Sequence, residues 1–200
     1  CTPCSKTTMI KAIPTEYNDV QFRSRLEAKW AAFFDLLEWE WEYEPCDFDG
    51  WIPDFLLKLD SPIFVEVKPV YDFPQDIADE IEKSGCTEDC LIVGMTLGSL
   101  NNSSYYGVQI GWKRVVDDEE AIDLECADLV SPVYKNWFEV VFTLDKYKEI
   151  TFDGAPGHSP GIVSFTDGWE DYGSKGLEKE VQRLWKMAGN KVQWKNSISS

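Results

Sequence analysis

The chain has 200 residues, of which 44% are hydrophobic, and its formal net charge is −17. This composition is sufficient for a hydrophobic core and differs from that of a disordered protein. The charge argues against recognition of nucleic acid through a broad basic surface, because phosphates are neutralised by Lys and Arg side chains. It is compatible with a protein partner that binds an acidic surface.

The sequence has no apolar run of transmembrane length and no basic start followed by an apolar stretch, as a signal peptide would have. We therefore expect no membrane contact and a cytoplasmic location, which is the host-cell cytoplasm if the chain comes from a phage. We interpret residues 1–12 as an N-terminal extension and residues 13–200 as one domain, with an insertion at about 101–167.

The first predicted element is an amphipathic helix that follows Asn18-Asp19, whose side chains are suited to cap it. Glu27 borders the apolar face of this helix. From Gln21 onward the apolar residues recur at intervals of three and four, as on one face of a helix: Phe22, Leu26, Trp30, Phe33, Phe34 and Leu37.

Three strands joined by short turns follow, which predicts an antiparallel meander. The first covers residues 38–44, where glutamates alternate with aromatic residues. The second is WIPDFLLKL, from Trp51, and the third is IFVEVKPV, from Ile63.

A second helix, FPQDIADEIEKSG, and a buried strand, CLIVGMTLG, come next, and a strand–helix–strand unit of this kind favours a parallel crossover. Further strands are predicted in YYGVQIGWKRVV and WFEVVFTL. The acidic stretch at 117–129 is interpreted as a solvated helix or loop. A C-terminal amphipathic helix is expected to end at Gly189-Asn190.

Two acidic residues and a lysine lie on strands that are expected to be core. Asp54 lies near the start of the second strand, and Glu66 and Lys68 lie two apart in the third, so both project from one face. If the strands pair across their turn, Asp54 faces Glu66. Partly buried carboxylates repel each other, and a divalent cation relieves the repulsion. Mg²⁺ suits the pair best, since it takes one or two carboxylates and keeps several waters.

The Pro-Asp at 53–54 and the Glu-Val-Lys at 66–68 resemble the PD-(D/E)xK motif of the restriction-endonuclease-like nuclease superfamily. The stretch from 13 to 69 is similar to a compact bacterial and phage subgroup of that superfamily. The resemblance implies an α/β fold with a restriction-endonuclease-like core: a helix, a three-stranded antiparallel meander, a helix and a strand. Added strands and a C-terminal helix complete the expected fold.

The resemblance also implies an activity, namely metal-dependent hydrolysis of DNA with Mg²⁺ or Mn²⁺ as the cofactor. Asp54, Glu66 and Glu27 are then expected to be catalytic metal ligands, and Lys68 is expected to position the attacking water. Arg23 and Arg25 are expected to contact phosphates of the DNA. Salt bridges on the helix surface are the alternative role for the two arginines. For the other three residues the alternative is a half-exposed hairpin whose polar face meets water.

The chain has six cysteines and one histidine. Cys1 and Cys4, together with Cys86 and Cys90, have spacings that suit a four-thiolate zinc site, and reduced, partly buried thiols are the alternative. His158 lies in a Gly/Pro-rich stretch that is typical of a surface loop. A Ser-His-Asp triad or a His-rich metal site would depend on this one residue, which argues against both.

The function expected from these features is that of a DNA nuclease. The charge supports one alternative, an acidic protein of the nuclease fold that mimics DNA and binds or inhibits a basic partner without catalysis. Another is an accessory module of a phage or mobile-element complex, which docks through residues 101–167.

Overall fold

The computed structural model describes residues 12–102, 105–114, 133–144, 150–153 and 174–193. These residues form a mixed α/β fold, as the sequence predicts. The helices are α1 (Arg25–Leu36), α2 (Gln75–Lys83) and α3 (Ser174–Lys191). The strands are β1 (Thr15–Tyr17), β2 (Val20–Phe22), β3 (Trp41–Tyr43), β4 (Phe55–Leu57), β5 (Ile63–Val67), β6 (Cys90–Asn102), β7 (Tyr105–Arg114), β8 (Trp137–Leu144) and β9 (Ile150–Asp153).

Seven of these strands form one sheet, in the order β3-β4-β5-β6-β7-β8-β9. Neighbouring strands are antiparallel except β5 and β6, which are parallel and are connected through α2. The predicted antiparallel meander is therefore confirmed for β3, β4 and β5. The predicted parallel crossover is confirmed for β5, α2 and β6, and the strands predicted near residues 105 and 137 are confirmed as β7 and β8.

The two faces of the sheet bury different clusters of side chains. On one face, Val65 and Val67 of β5 join the cluster that contains the buried residues of α1 and α3, where Trp30 and Trp185 pack with ring centroids 4.6 Å apart. On the other face, Phe64 packs with the cluster that includes the buried side of α2. Since side chains alternate along a strand, residue 66 projects from the α2 face of β5.

The segment before α1 differs from the prediction. Asn18-Asp19 do not cap the helix; they form the two-residue turn of the β1–β2 hairpin, with φ angles of 52° and 62°. Two consecutive positive φ angles are typical of the tight turns that match the twist of a hairpin, and Asn and Asp adopt them more readily than most residues. The helix begins at Arg25, with Ser24 as its N-cap, and not at Gln21.

Further boundaries are wrong in the prediction. The second and third strands are limited to Phe55–Leu57 and Ile63–Val67, so Asp54 lies just before β4 and Lys68 just after β5. The first strand of the meander is limited to Trp41–Tyr43, because Glu38 has a φ angle of 59° and belongs to the turn after α1. Helix α3 continues past Gly189-Asn190 to Lys191. Residues on both sides of the expected stop, Ala188 and Val192, are buried, so tertiary packing outweighs the weak helix propensity of glycine.

Several predictions fall on residues outside those the structure describes. They concern the N-terminal cysteines, the acidic stretch at 117–129 and His158. The division into an extension, one domain and an insertion stays a prediction. Within the described ranges, no helix has the length and apolar character needed to cross a membrane.

Candidate functional site

Asp54 and Glu66 are brought together by the pairing of β4 with β5. Phe55 is opposite Val65 in this antiparallel pair, so one step further along the register places Asp54 opposite Glu66. Asp54 is 2% exposed and Glu66 is 4% exposed. Asp54 Oδ2 accepts a hydrogen bond of 2.8 Å from the backbone N–H of Val67. This burial does not fit the alternative of a half-exposed hairpin that shows its carboxylates to water.

Lys68 and Trp51 hold the two oxygens of the Glu66 carboxylate. Lys68 Nζ forms a salt bridge with Glu66 Oε1. The other oxygen, Oε2, accepts a hydrogen bond of 3.0 Å from the indole N–H of Trp51, which is itself buried. Trp51 was not among the predicted site residues. The signal that points to it is the indole N–H, which needs an acceptor when the ring is buried.

Glu27 is fixed at the start of α1 by hydrogen bonds with Ser24, the N-cap residue. Glu27 Oε1 accepts a hydrogen bond of 2.7 Å from the Ser24 hydroxyl, and Ser24 Oγ accepts one of 3.2 Å from the Glu27 N–H. Glu27 Oε2 accepts hydrogen bonds from the Tyr43 hydroxyl at 2.7 Å and the Arg23 N–H at 3.1 Å. The sequence contains the corresponding S-x-x-E pattern, Ser24 to Glu27, which is typical of a helix start. Glu27 therefore stabilises the helix start, in addition to any chemistry it has.

Arg23 connects Glu27 to the buried pair. Its Nη2 lies 2.5 Å from Asp54 Oδ1, and its Nε lies 3.0 Å from Glu44 Oε1 and 4.0 Å from Glu27 Oε2. The side chain is 56% exposed, so the guanidinium closes the solvent side of Asp54. Arg25 is exposed in the first turn of α1. Of the two predicted phosphate contacts, Arg23 is the one that the structure places at the carboxylates.

The electrostatics of the pair show an excess of negative charge. Burial raises the pKa of Asp54 from 3.8 to about 7, and the charges of Glu66 and Glu27 act in the same direction. The hydrogen bond from Val67 and the charge of Lys68 oppose the rise. The fold therefore holds Asp54 where a positive charge would stabilise its ionised form.

The negative charges at the site also raise the pKa of Lys68, because they stabilise its charged form. Although its burial acts to lower the pKa of Lys68, that pKa is raised, first by Glu66 and further by Asp54 and Glu80. The ammonium is thus held in its charged form beside the carboxylates. Glu80, on α2, is a third contributor that the sequence alone did not indicate, because the crossover brings α2 over β5.

The donor set of the pair fits a hard divalent cation. Carboxylate oxygens are the protein ligands that Mg²⁺ and Mn²⁺ prefer, and two of them are sufficient when waters complete the coordination. Within the described ranges, no group of three or more His, Cys, Asp or Glu side chains is arranged to hold a metal ion. The structure thus assembles Asp54 and Glu66 as a pair, and Glu27 adjoins them through Arg23.

A groove on the described residues lies away from the carboxylate pair. It has a volume of about 480 Å³, at the opposite end of β3 from Tyr43. None of the predicted site residues borders it. Its lining consists of Asp35, Glu38, Trp39, Glu40, Trp41 and Lys58. The carboxylate pair therefore lies outside this groove.

Comparison of the chain with protein-family models, with curated proteins and with solved structures gives no match in any of the three. The function is consequently inferred from the chemistry and geometry of the carboxylate pair and its neighbours.

Proposed function

We propose that the chain is a metal-dependent nuclease of the restriction-endonuclease-like type, which hydrolyses phosphodiester bonds of DNA. The observation that carries the proposal is the placement of two almost fully buried carboxylates opposite each other, Asp54 just before β4 and Glu66 on β5, with Lys68 in a salt bridge to Glu66. The parallel crossover after the lysine strand and the helix before the meander are consistent with such a core.

Each residue of the site has a role in this proposal. Asp54 and Glu66 hold the cation, and Trp51 keeps the Glu66 carboxylate in a fixed orientation. The ammonium of Lys68 orients the attacking water and stabilises negative charge that develops on the phosphate. A bound Mg²⁺ or Mn²⁺ supplies a Lewis acid for the phosphate oxygen and lowers the pKa of a coordinated water. Arg23 contacts the same carboxylate, so it would be free to contact a phosphate if a cation took its place at Asp54.

The test is nicking of a supercoiled plasmid in Mg²⁺ or Mn²⁺, with an EDTA control. Asp54→Asn removes a charged ligand, and Lys68→Met removes the ammonium, so each is expected to reduce the rate by about 100-fold or more. Lys58→Met is the matched control, because Lys58 lies just after β4 and pairs with the exposed Glu42 at 3.1 Å. It should cleave like the original chain. Full cleavage by both site variants, with folding verified by circular dichroism, contradicts the mechanism.

A second candidate function is that of an acidic protein that binds a basic partner without catalysis. The observation in its favour is that both carboxylates already have an internal cation, Arg23 for Asp54 and Lys68 for Glu66. Exposed glutamates also alternate along β3 and its flanks, at positions 38, 40, 42 and 44. If this candidate is correct, the plasmid stays supercoiled in both metals, and the chain binds a polylysine peptide with an affinity that falls when these glutamates are changed to glutamine.

A further inference from the structure

Cys86 and Cys90 form a second cluster of reactive groups, on the connection between α2 and β6. Their Sγ atoms lie 3.8 Å apart, and the two residues are 6% and 0% exposed. A disulfide bond is about 2.05 Å long, so each sulfur would have to move by roughly 1 Å to form one. The pair is therefore close to bonding distance without being bonded.

A buried arginine lies against this pair. Arg114, which is 3% exposed, is opposite Cys90 in the β6–β7 register. Its Nη2 donates to the carbonyls of Cys86 and Glu88, at 2.8 and 2.6 Å, and lies 3.3 Å from Cys90 Sγ. Burying a guanidinium is costly unless charge and hydrogen bonds compensate it.

That compensation is incomplete among the described residues. Arg114 Nε has no hydrogen-bond partner there, and neither does the buried Glu82 Oε1, the carboxylate oxygen that lies 3.7 Å from Arg114 Nη1. A thiolate on Cys90 would give the guanidinium a negative charge in direct contact. Contact with Arg114 thus offsets part of the cost of ionising the buried Cys90 thiol.

Arg114 also indicates which of two roles, metal binding or thiol–disulfide chemistry, suits the cysteine pair. A divalent metal ion between the sulfurs would add positive charge next to a buried guanidinium, whereas the same guanidinium favours a thiolate that attacks another sulfur. We propose that Cys86 and Cys90 are a redox-sensitive dithiol, which closes to an intrachain disulfide in the presence of a peroxide. This proposal is independent of the proposed nuclease function.

The reaction proceeds in two steps that balance. The Cys86 thiolate attacks one oxygen of hydrogen peroxide, the O–O bond breaks, and a sulfenic acid and hydroxide form. The Cys90 thiolate, stabilised by Arg114, then attacks the Cys86 sulfur, the S–O bond breaks, and a second hydroxide leaves. The two thiol protons convert both hydroxides to water. The two sulfurs are oxidised by two electrons in total, and the peroxide is reduced.

The order of the two cysteines follows from their surroundings. Burial raises the pKa of Cys90, and Arg114 only partly opposes this rise. Cys86 is slightly more exposed and is therefore the residue that meets the peroxide first. Cys90 is the resolving residue, for which contact with Arg114 matters and access to solvent does not.

Peptide mapping tests the proposal directly on the full chain. Residues 84–113 form one tryptic peptide that contains Cys86 and Cys90 and no other cysteine. After treatment of the folded chain with hydrogen peroxide and then with an alkylating agent, we expect this peptide to be unalkylated and about 2 Da lighter than its reduced form. Reduction before alkylation should restore two alkylated cysteines.

Variants make the test specific. Cys46→Ser, which removes an exposed cysteine, should leave the rate of closure unchanged. Arg114→Gln removes the charge and should slow closure about tenfold near neutral pH, with recovery at higher pH as the thiolate forms unaided. If Arg114→Gln does not fold, the alkylation state of peptide 84–113 from the original chain tests the proposal by itself.

Three results would overturn the proposal. One is a peptide that remains doubly alkylated after peroxide treatment of the folded chain. Another is closure that occurs only in denaturant. The third is stoichiometric zinc in the purified chain that is lost in Cys86→Ser and Cys90→Ser, which would identify a metal site instead.

Discussion

At Asp54 the fold holds a carboxyl group where its charge is unfavourable. Because its pKa in the folded chain is about 7, against 3.8 as the ordinary value, the folded state keeps a proton that the unfolded chain loses between these two pH values. The free energy of unfolding therefore falls as pH rises through this window, and the loss is complete above it. Asp54 is thus the described group of the candidate site that we expect to make stability depend on pH between 3.8 and about 7.

Asp54→Asn removes this effect while keeping an acceptor for the Val67 N–H. We expect the free energy of unfolding of the variant to exceed that of the original chain by about 2 kcal/mol at about pH 8 in EDTA. At about pH 3, below both pKa values, Asp54 is mostly protonated in the folded and in the unfolded chain, and the difference should nearly vanish. Urea unfolding at both pH values measures it. An equal loss of stability with rising pH in both proteins would show that Asp54 does not carry the effect.

Arg23 is the residue that we expect to compete with the cation for Asp54. Its Nη2 contacts Asp54 Oδ1 at 2.5 Å, so Arg23→Gln should free this oxygen and tighten Mn²⁺ binding by about threefold to tenfold. Arg25→Gln is the matched control, since Arg25 is exposed at the first residue of α1 and its replacement should not alter the affinity. Electron paramagnetic resonance of free Mn²⁺ measures the constant without requiring cleavage. Equal affinities in all three proteins would exclude the competition.

The residues of the pair were predictable from the sequence because period-two alternation and a short turn are sufficient to place Asp54, Glu66 and Lys68 together. The roles of Trp51 and Arg23 were not, because they depend on side-chain hydrogen bonds between segments distant in sequence. Glu27 shows a different limit. A glutamate at the start of a helix suits both helix capping and the expected metal site, so the sequence does not distinguish the two roles. The contact with Ser24 identifies the first role.

Among the elements, the start of α1 positions two residues of the site, Arg23 and Glu27. Ser24→Ala removes the acceptor for the Glu27 N–H and the donor to its carboxylate, so we expect a loss of about 1 kcal/mol in the free energy of unfolding. Ser24→Thr keeps the hydroxyl and should retain most of the stability. Denaturant unfolding compares the three proteins. If alanine and threonine have the same effect, the hydroxyl does not cap the helix.

The elements also show which part of the fold the sequence determines locally. The meander and the crossover are encoded by runs of five or more residues with clear periodicity, and they were predicted correctly. The β1–β2 hairpin was missed because Asn18-Asp19 suit a tight turn as well as a helix cap. The end of α3 was missed for another reason, namely that burial of Val192 overrides the glycine signal.

For the whole molecule, if the chain acts on DNA as proposed, the charge of −17 and the arrangement of acids along β3 limit how DNA can approach. Glu42 is paired with Lys58 and Glu44 with Arg23, whereas the acids at positions 38 and 40 border the groove at the far end of the strand. The described acidic row therefore starts near the candidate site and extends away from it. Approach of DNA then depends on the local cations Arg23, Arg25 and Lys68, together with the metal.

This dependence gives a prediction for DNA binding that is separate from cleavage. Lys68→Met keeps both carboxylates but is expected to be inactive, so its affinity for a fluorescent duplex can be measured in Mg²⁺. We expect binding to weaken at least about tenfold in EDTA, because few basic side chains remain to neutralise phosphates. For the same reason, the logarithm of the affinity should depend only weakly on the logarithm of the salt concentration. Tight binding in EDTA with a steep salt dependence would instead indicate a basic surface on the part of the chain outside the described residues.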